Sequence, residues 1–225
     1  MKTEIFVRLS DVSKKYDRTG VETLALQHVS FEARAGEMVL LLGPSGSGKT
    51  TFLTILAGLQ KPSEGEVTIF GQNVLDYSPK DLQKLRAQHI GFIFQTFYLL
   101  DSLSVIENIM LVMKFAGISK TEANQRARIF LEKFGISHLT NAYPKTLSQG
   151  EKQRVAVARA LANGANLILA DEPTGSLSTL QGMTIVQYLK DAVMNDGRCA
   201  VIASHDERIR PFADRVLTLR DGVLV

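Results

Sequence analysis

An apolar run followed at once by a glycine-rich loop constrains the fold more than any other feature of this sequence. The run Met38–Leu42 contains no polar residue, which is typical of a strand buried on both faces of a sheet. The loop Gly43–Thr50 has the spacing G-x-x-x-x-G-K-[ST], and the residues from about Lys49 to Leu59 favour a helix. A strand, such a loop and a helix in this order predict a phosphate-binding site in an α/β protein.

The chemistry of phosphate binding explains the constrained positions of the loop. Glycines let successive backbone N–H groups point at phosphate oxygens, and the helix N-terminus adds the positive end of its dipole. We expect Lys49 to reach the β- and γ-phosphates and Thr50 to ligate Mg²⁺. A glycine- and serine-rich turn that fits the pattern by chance is the alternative. The residues predicted to bind the nucleotide are Gly43, Pro44, Ser45, Gly46, Ser47, Gly48, Lys49, Thr50 and Thr51.

Two further apolar runs, Leu167–Ala170 and Ala200–Ala203, are each followed by polar residues. Ligands of open α/β sheets bind at the carboxyl ends of the strands, so the polar residues would lie beside the phosphates. We expect Asp171 to hold Mg²⁺ through water and Glu172 to orient or deprotonate the attacking water. The alternative is that both are solvated carboxylates in a turn. His205 either hydrogen-bonds a γ-phosphate or is an ordinary satisfied polar residue, and its position alone leaves both open.

The remaining pattern predicts one α/β domain over residues 1–225, with a phosphate-loop core and a mainly parallel sheet. Apolar and polar residues alternate over 28–33 and 66–69, which predicts an N-terminal antiparallel β subdomain. Residues 96–146 are mostly helical in pattern and predict an inserted α-helical subdomain, so that the core comprises 1–95 and 147–225. In that insertion Ser119 and Glu122 predict a capping box. Near the end, Asp221-Gly222 between two apolar segments predicts a two-residue hairpin.

A second serine- and glycine-containing segment, Leu147–Glu151, precedes a helix predicted from about Lys152 to Asn163. Ser148 and Glu151 have the spacing of a capping box, which is a purely structural interpretation. A helix N-terminus with a serine hydroxyl and an exposed glycine, here Gly150, is also an anion site. Because only the first loop carries a lysine and Mg²⁺ ligands, the pattern favours a second copy of the chain completing the first pocket.

Composition excludes several classes of protein. The single Cys199 cannot form an intramolecular disulfide, which favours a reducing compartment. A net charge of +3 is too small to indicate nucleic-acid binding, so no nucleic-acid partner is expected. No apolar run approaches the roughly 20 residues of a membrane span, and the start Met1–Glu4 lacks the apolar stretch of a secretion signal. We therefore predict a cytoplasmic protein whose membrane role, if it has one, comes through a partner.

Taken together, these motifs resemble the ATP-binding cassette (ABC) family across nearly the whole chain. The segments that carry the resemblance are Gly43–Thr50 (Walker A), Gln95 (Q-loop), Leu147–Glu151 (signature), Leu167–Asp171 (Walker B) and His205 (switch histidine). Tyr16 lies where the family places an aromatic ring that stacks on adenine. More narrowly, Gly91–Gln95, Ser104–Asn108 and Ala170–Gly175 are similar to the ATPase subunits of lipoprotein-release and macrolide-export systems.

The resemblance implies a transport ATPase that forms a head-to-tail dimer with two ATP molecules between the copies. Each ATP would contact one phosphate loop and the partner's Ser148, Gly150 and Glu151. Glu172 would polarise water, His205 would contact the γ-phosphate, and Gln95 would link Mg²⁺ to a helical subdomain touching an integral-membrane permease. The protein would then be peripheral, on the cytoplasmic side of the inner membrane.

Two departures from the family pattern put communication between the two sites in doubt. The signature reads LSQGE instead of LSGGQ, which places Gln149 at a position usually held by glycine, and Ser178 replaces the usual aspartate of the D-loop. Two other classes therefore remain as alternatives. One is a soluble cassette protein without a transport role, and the other is a degenerate regulatory nucleotide binder.

Overall fold

The computed structural model describes residues 4–18 and 21–225. The start of the chain, on which the predicted lack of a secretion signal rests, lies mostly outside the described residues. The strands are β1 Ile5–Arg18, β2 Val21–Arg34, β3 Met38–Leu42, β4 Glu64–Ile69, β5 Gln72–Asn73, β6 Ile90–Ile93, β7 Leu167–Asp171, β8 Cys199–Ser204, β9 Arg215–Arg220 and β10 Val223–Leu224. The α-helices are α1 Lys49–Leu56, α2 Pro79–His89, α3 Val105–Phe115, α4 Lys120–Lys133, α5 Gln149–Ala162 and α6 Thr179–Asp196.

Two sheets organise the described residues. One has the strand order β2-β1-β4-β5 and is antiparallel throughout, as the alternating pattern predicted. The other has the order β10-β9-β3-β8-β7-β6 and is parallel except for the terminal β9–β10 hairpin. The predicted fold class, a mainly parallel α/β core beside an N-terminal antiparallel sheet, is confirmed.

Strand β3 lies between β8 and β9 and explains why its apolar run is continuous. Met38, Leu40 and Leu42 pack into a hydrophobic cluster shared with α3, α4, α5 and α6. Val39 and Leu41 point to the opposite face, into a second cluster shared with β1, β2 and α1. Because successive side chains of a strand alternate between faces, a strand covered on both sides must be apolar at every position.

The parallel register brings the carboxyl ends of β3, β7 and β8 to one edge of the sheet. Leu42 pairs with Ser204, and Asp171 pairs with Ala203. The residues that follow these strand ends are therefore neighbours in space although they are far apart in sequence. This edge is where the ligand of an open α/β sheet is expected.

Local signals place the chain reversals and most helix ends. Asp221 and Gly222 both have positive φ, 46° and 79°, as a two-residue type I′ hairpin requires, so the predicted hairpin is confirmed. Helix α1 ends at Leu56, earlier than the predicted Leu59. Gly58 adopts a left-handed φ of 61°, and its amide donates to the Ile55 carbonyl, which closes the helix there.

Two predictions about helix N-termini need correction. Helix α5 begins at Gln149, three residues before the predicted start, because Ser148 has extended backbone and caps it directly. Helix α4 has only half of its predicted capping box. The Ser119 hydroxyl accepts the Glu122 amide, but the Glu122 carboxylate binds Arg126 one turn later instead of returning to the cap.

The middle of the chain is helical, with α3 and α4 falling within residues 96–146. The division into a core and an inserted helical subdomain stays a prediction. Cys199 on β8 is buried, and burial raises the pKa of its thiol far above the ordinary value. Within the described residues, no helix combines the length and apolarity needed to cross a membrane.

Candidate active site

A cleft of about 840 Å³ opens at the edge of the sheet where β3, β7 and β8 end. It brings together residues that the sequence predicted from separate motifs: Ser45, Gly46, Gly48, Lys49, Thr50, Thr51, Gln95, Asp171, Glu172 and His205. The parallel register of the strands accounts for this convergence. Ala25, Gly175 and Ser176 also line the cleft, although they were not among the predicted ligand residues.

The loop before α1 has backbone geometry that only glycine adopts without strain. Gly48 is the N-cap of the helix with φ 104°, and no side chain caps the N-terminus. A Cβ at Gly48 would lie 2.3 Å from the carbonyl oxygen of Ala25 on β2. The loop therefore approaches the antiparallel sheet closely, and the N-terminus of α1 is left open toward the cleft.

Lys49 places a buried cation inside this loop. Its Nζ donates to the carbonyl oxygens of Gly43 at 2.7 Å and Pro44 at 3.0 Å, and lies 3.9 Å from Glu172 Oε1. Ser47 is also buried, and its amide donates to the Pro44 carbonyl. A lysine held by carbonyls at the mouth of an anion site can exchange these partners for phosphate oxygens.

Thr50 and Asp171 form a close pair on the floor of the cleft. The threonine hydroxyl donates to Asp171 Oδ2 at 2.6 Å. Burial raises the pKa of the Asp171 carboxyl, and the Glu172 charge acts in the same direction, whereas the Thr50 hydrogen bond and Lys49 oppose the shift. Thr50, Asp171 and Gln95 offer only oxygen ligands, the donor set that Mg²⁺ prefers. The residues present therefore fit a magnesium ion.

Glu172 is held at a fixed place beyond the end of β7. Its φ is 48°, in the left-handed region, and its amide donates to the Ala203 carbonyl. The Ser204 hydroxyl donates to Glu172 Oε2 at 2.9 Å, and His205 Nδ1 lies 3.0 Å from Oε1. Both carboxylate oxygens are thus engaged by β8 and the residue that follows it.

Sequence reasoning missed Ser204 as part of this arrangement. It is fully buried, and its hydroxyl also accepts the backbone amide of Asp206. The available signal was a hydroxyl residue between the buried run Ala200–Ala203 and His205. Such a residue ends a strand that pairs with the strand of Glu172, so its side chain can reach that carboxylate.

Seven predicted ligand residues do not line the cleft. Gly43, Pro44 and Ser47 belong to the phosphate loop but are not among the residues that line the cleft. Tyr16 lies beside it, where its hydroxyl bonds Thr51 Oγ1 at 3.3 Å and Gln60 Oε1. Ser148, Gly150 and Glu151 lie at the N-terminus of α5, outside the cleft of their own chain.

At that N-terminus Ser148 and Glu151 satisfy each other. Glu151 Oε2 accepts the Ser148 amide at 2.8 Å and the Ser148 hydroxyl at 2.7 Å, while the Glu151 amide donates back to Ser148 Oγ. These bonds lower the pKa of Glu151, so it is ionised at neutral pH. The predicted capping box is confirmed.

The open helix N-terminus, the buried lysine and the acidic strand end define a P-loop nucleotide-binding protein. The chain belongs to the ABC transporter family, whose family model matches residues 26–175. Of the predicted motifs, the phosphate loop, Gln95, the signature segment and Asp171–Glu172 all fall inside the matched range.

Known proteins align with the chain over nearly its full length. The putative hemin import ATP-binding protein HrtA of Staphylococcus haemolyticus is 41% identical, over 96% of this chain and 97% of its own. The lipoprotein-releasing system ATP-binding protein LolD of Granulibacter bethesdensis is 40% identical, over 97% and 96%. The macrolide export ATP-binding/permease protein MacB 2 of Yersinia pestis is 41% identical over 99% of this chain, which spans 33% of that longer protein.

A solved structure supports the same assignment. The ATP-binding cassette MJ0796, in a dimeric post-hydrolysis state bound to ADP and Pi, superposes with a TM-score of 0.92 at 40% identity, covering 96% of this chain and 95% of that one. The family, the α/β fold and the resemblance to lipoprotein-release and macrolide-export ATPases are confirmed. The chain is an ATP-binding cassette with ATPase activity, and neither alternative class is favoured.

Proposed function

We propose that this chain is the ATPase subunit of a transporter, working as a dimer of two copies that drives a separate integral-membrane permease. One observation carries the proposal. The cleft of a single chain is lined by the phosphate loop, the acidic pair and the histidine, while the signature residues Ser148 and Gly150 lie outside it at the N-terminus of α5. Two copies arranged head to tail would supply Ser148 and Gly150 of one chain to the ATP bound by the other.

In this proposal the residues of one cleft divide the work of hydrolysis. Lys49 exchanges its carbonyl partners for the β- and γ-phosphates. Tyr16, as the family resemblance implies, stacks on the adenine ring. Glu172 orients and deprotonates the attacking water, and Ser204 and His205 fix the direction of its carboxylate. Thr50, Asp171 and Gln95 hold Mg²⁺, which supplies charge neutralisation for the β- and γ-phosphates when bound.

The proposed dimer rests on the likeness to a solved dimeric cassette and on the state of the signature helix. Ser148 and Gly150 lie at a solvent-accessible helix N-terminus, where Ser148 could exchange Glu151 for a phosphate oxygen. ATP would bridge the two copies through its γ-phosphate, and hydrolysis would remove that bridge. Opening and closing of the dimer would then follow the nucleotide state.

The proposed permease would meet the chain near an apolar groove of about 350 Å³ between β6 and α3. Tyr98 and Phe115 line it and are 64% and 60% exposed, an unusual state for large apolar side chains. Gln95 in the ATP cleft is only three residues from Tyr98. The MacB relative is described as one ATP-binding/permease protein, which supports a permease as the partner. With such a partner the chain would be peripheral, on the cytoplasmic side of the inner membrane.

The experiment that tests this proposal is the Glu172→Gln variant. It should retain ATP binding and lose about 10²–10⁴-fold in hydrolysis, because it removes the proposed general base. With ATP and Mg²⁺ it should become dimeric in light scattering, since the γ-phosphate is no longer cleaved. The matched control is Glu207→Gln, which changes an exposed glutamate that pairs with Arg210 just beyond the end of the neighbouring strand β8 and should leave ATP hydrolysis normal.

Three results would contradict the proposal. Undiminished hydrolysis by Glu172→Gln would remove that residue from its role. A persistent monomer at high protein and ATP concentration would count against the shared site. Purification from membranes should recover an integral-membrane protein, and recovery of ribosomes or DNA instead would favour a cassette protein without a transport role.

A further inference from the structure

A buried arginine on the signature helix binds the backbone that follows Gln95. Arg159 lies in the last turns of α5 and is only 9% exposed. Its guanidinium donates to the carbonyl oxygens of Phe97 at 2.6 Å and Tyr98 at 2.5 Å. Burial lowers the pKa of Arg159 to about 10, so the group is still charged at neutral pH. Charge-assisted bonds to two successive carbonyls fix a short piece of backbone firmly.

The backbone that Arg159 holds is strained. Phe97 has φ 61° and Tyr98 has φ 46°, both in the left-handed region that bulky side chains rarely adopt. The Tyr98 amide donates to Thr96, and the Tyr98 ring meets the Phe94 ring edge-on at 4.9 Å. Such a conformation persists only where its surroundings over-determine it, and the two charge-assisted Arg159 bonds are among the contacts that hold it.

This strained turn lies between two functional surfaces. Gln95 lines the ATP cleft on one side, while Tyr98 and Arg159 itself line the apolar groove on the other. Helix α5 connects the turn to Ser148, the residue that would contact the partner's ATP. The Arg159 guanidinium therefore joins the signature helix to the turn that separates Gln95 in the cleft from Tyr98 in the groove.

We propose that Arg159 is a positioning residue that locks the Phe97–Tyr98 turn to α5, so that nucleotide-dependent movement of Gln95 is passed to the groove at Tyr98. The inference rests on the proposed function, in which Gln95 contacts the bound magnesium and the groove receives the permease. Arg159 does not line the ATP cleft, and both of its described hydrogen bonds go to the turn, so its effect on the nucleotide site goes through the turn.

A tryptophan reporter tests the inference directly, because the chain contains no tryptophan. The Tyr98→Trp change keeps a large aromatic ring at the groove and keeps the backbone carbonyl that Arg159 binds. In a Glu172→Gln background, which holds ATP without turnover, adding ATP with Mg²⁺ should shift the tryptophan emission. Adding Arg159→Lys should reduce that shift to about half or less, since an ammonium cannot bind two carbonyls as the guanidinium fork does. ATP affinity, measured with a fluorescent analogue, should be unchanged.

Arg86→Lys is the matched control. Arg86 lines the same groove and donates to a single carbonyl, that of Gly58 at 3.0 Å, without touching the strained turn. It should leave the emission shift intact. In addition, Phe97→Gly combined with Arg159→Lys should restore much of the shift, because glycine adopts left-handed φ without strain.

Limited chymotrypsin digestion gives a second readout that needs no nucleotide. Cleavage after Phe97 or Tyr98 should be several-fold faster in Arg159→Lys than in Arg86→Lys, because the turn is released. Equal cleavage, an undiminished emission shift in Arg159→Lys, or failure of Phe97→Gly to restore the shift would overturn the inference. A Tyr98→Trp reporter that stays silent with ATP would overturn it too. If Glu172→Gln had meanwhile behaved as expected, the proposed function would still stand.

Discussion

The N-termini of α1 and α5 follow similar serine- and glycine-containing segments, yet the two helix starts differ in what satisfies them. Helix α1 has Gly48 as its N-cap and no side chain covering its amides. Helix α5 has Ser148 as its N-cap and a complete capping box with Glu151. The N-terminus of α1 is an anion site that is open to the cleft. At the N-terminus of α5, by contrast, the Glu151 carboxylate already accepts the hydrogen bonds of the cap.

This difference indicates that the two sites would contribute differently to a shared ATP. A phosphate arriving at α1 meets free N–H groups and Lys49, so this site alone can provide affinity. At α5 the Ser148 hydroxyl donates to Glu151, and it must leave that partner before it can donate to a γ-phosphate. A γ-phosphate would therefore have to compete with Glu151 for the Ser148 hydroxyl. Binding at α5 would thus depend on whether the nucleotide carries a γ-phosphate.

The largest effect is expected from adding a side chain at Gly48, the N-cap of α1. Gly48→Ala forces a left-handed alanine, at a cost of about 1–2 kcal/mol, and overlaps the Ala25 carbonyl, which adds about 1–3 kcal/mol. Chemical denaturation should show this loss of unfolding free energy, and ATP binding should fall with it. The matched control is Gly46→Ala, with φ 81° and no heavy atom near the added Cβ, which should show the strain cost alone. Equal losses in the two variants would contradict the close approach of the loop to β2.

Removing the buried cation of the open site should have the next largest effect. Lys49→Ala should weaken ATP binding by about 10–100-fold, the range for losing hydrogen bonds to a charged group. Titration with a fluorescent ATP analogue at monomeric protein concentration measures this loss. Lys152→Ala, which removes a lysine from the first turns of α5, serves as the control and should leave monomer affinity unchanged. A comparable loss in both variants would show that the two helices do not differ as described.

Removing the Ser148 hydroxyl, the N-cap of α5, should affect the unfolding free energy and the ATP-dependent dimer to different extents. Ser148→Ala should cost about 1 kcal/mol of unfolding free energy. It should leave ATP affinity of the monomer intact and should abolish the ATP-dependent dimer. Ser119→Ala on α4 removes an exposed N-cap of the same type and should cost a similar amount of stability without affecting the dimer. Unaltered dimerisation of Ser148→Ala in light scattering would exclude Ser148 from the shared site.

The smallest effect is expected from neutralising the Glu151 carboxylate in the capping box of α5. Glu151→Gln keeps a capping side chain, since glutamine also completes a capping box, but removes a negative charge near the approaching γ-phosphate. ATP-driven dimerisation should tighten by about threefold, the scale of a screened surface charge. Dimerisation that weakens instead would indicate that the carboxylate helps to bind the nucleotide.

The same residue gives a pH test of the cap. Hydrogen bonds from the Ser148 hydroxyl and amide lower the pKa of Glu151, so its contribution to stability is present above the ordinary glutamate range. That contribution is lost as the pH falls through the lowered pKa of the folded state. Thermal unfolding of the native chain should therefore lose stability relative to Glu151→Gln below about pH 4.5, and the two should run parallel at neutral pH. A constant difference across this range would contradict the hydrogen-bonded carboxylate.

How well a feature of the fold or site can be predicted from the sequence depends on how many residues separate the interacting groups along the chain. The phosphate loop and the pair Asp171–Glu172 were predictable because each is a contiguous pattern next to a buried strand. The capping box of α5 was predictable for the same reason, although the start of the helix was placed three residues too late. The failed half of the α4 box shows the limit of a local rule, since Glu122 chooses Arg126 over the cap for reasons the spacing does not contain.

Long-range partners were out of reach of the sequence. Ser204 binds a carboxylate 32 residues earlier in the chain, and Arg159 binds carbonyls 61 and 62 residues earlier. Nothing in the local pattern of α5 distinguishes Arg159 from a solvated basic residue. Its burial and its two acceptors arise only after α5 packs against the backbone that follows β6.

The buried thiol of Cys199 on β8 has a practical consequence for testing the proposed head-to-tail dimer. Cys199 is the only cysteine, it is inaccessible, and its raised pKa keeps it protonated at neutral pH, so alkylating and oxidising reagents should pass it by. A pair of new cysteines at Ser45 and Ser148 could then be introduced without first deleting the native one. Their covalent crosslinking would report contact between copies against a silent chemical background.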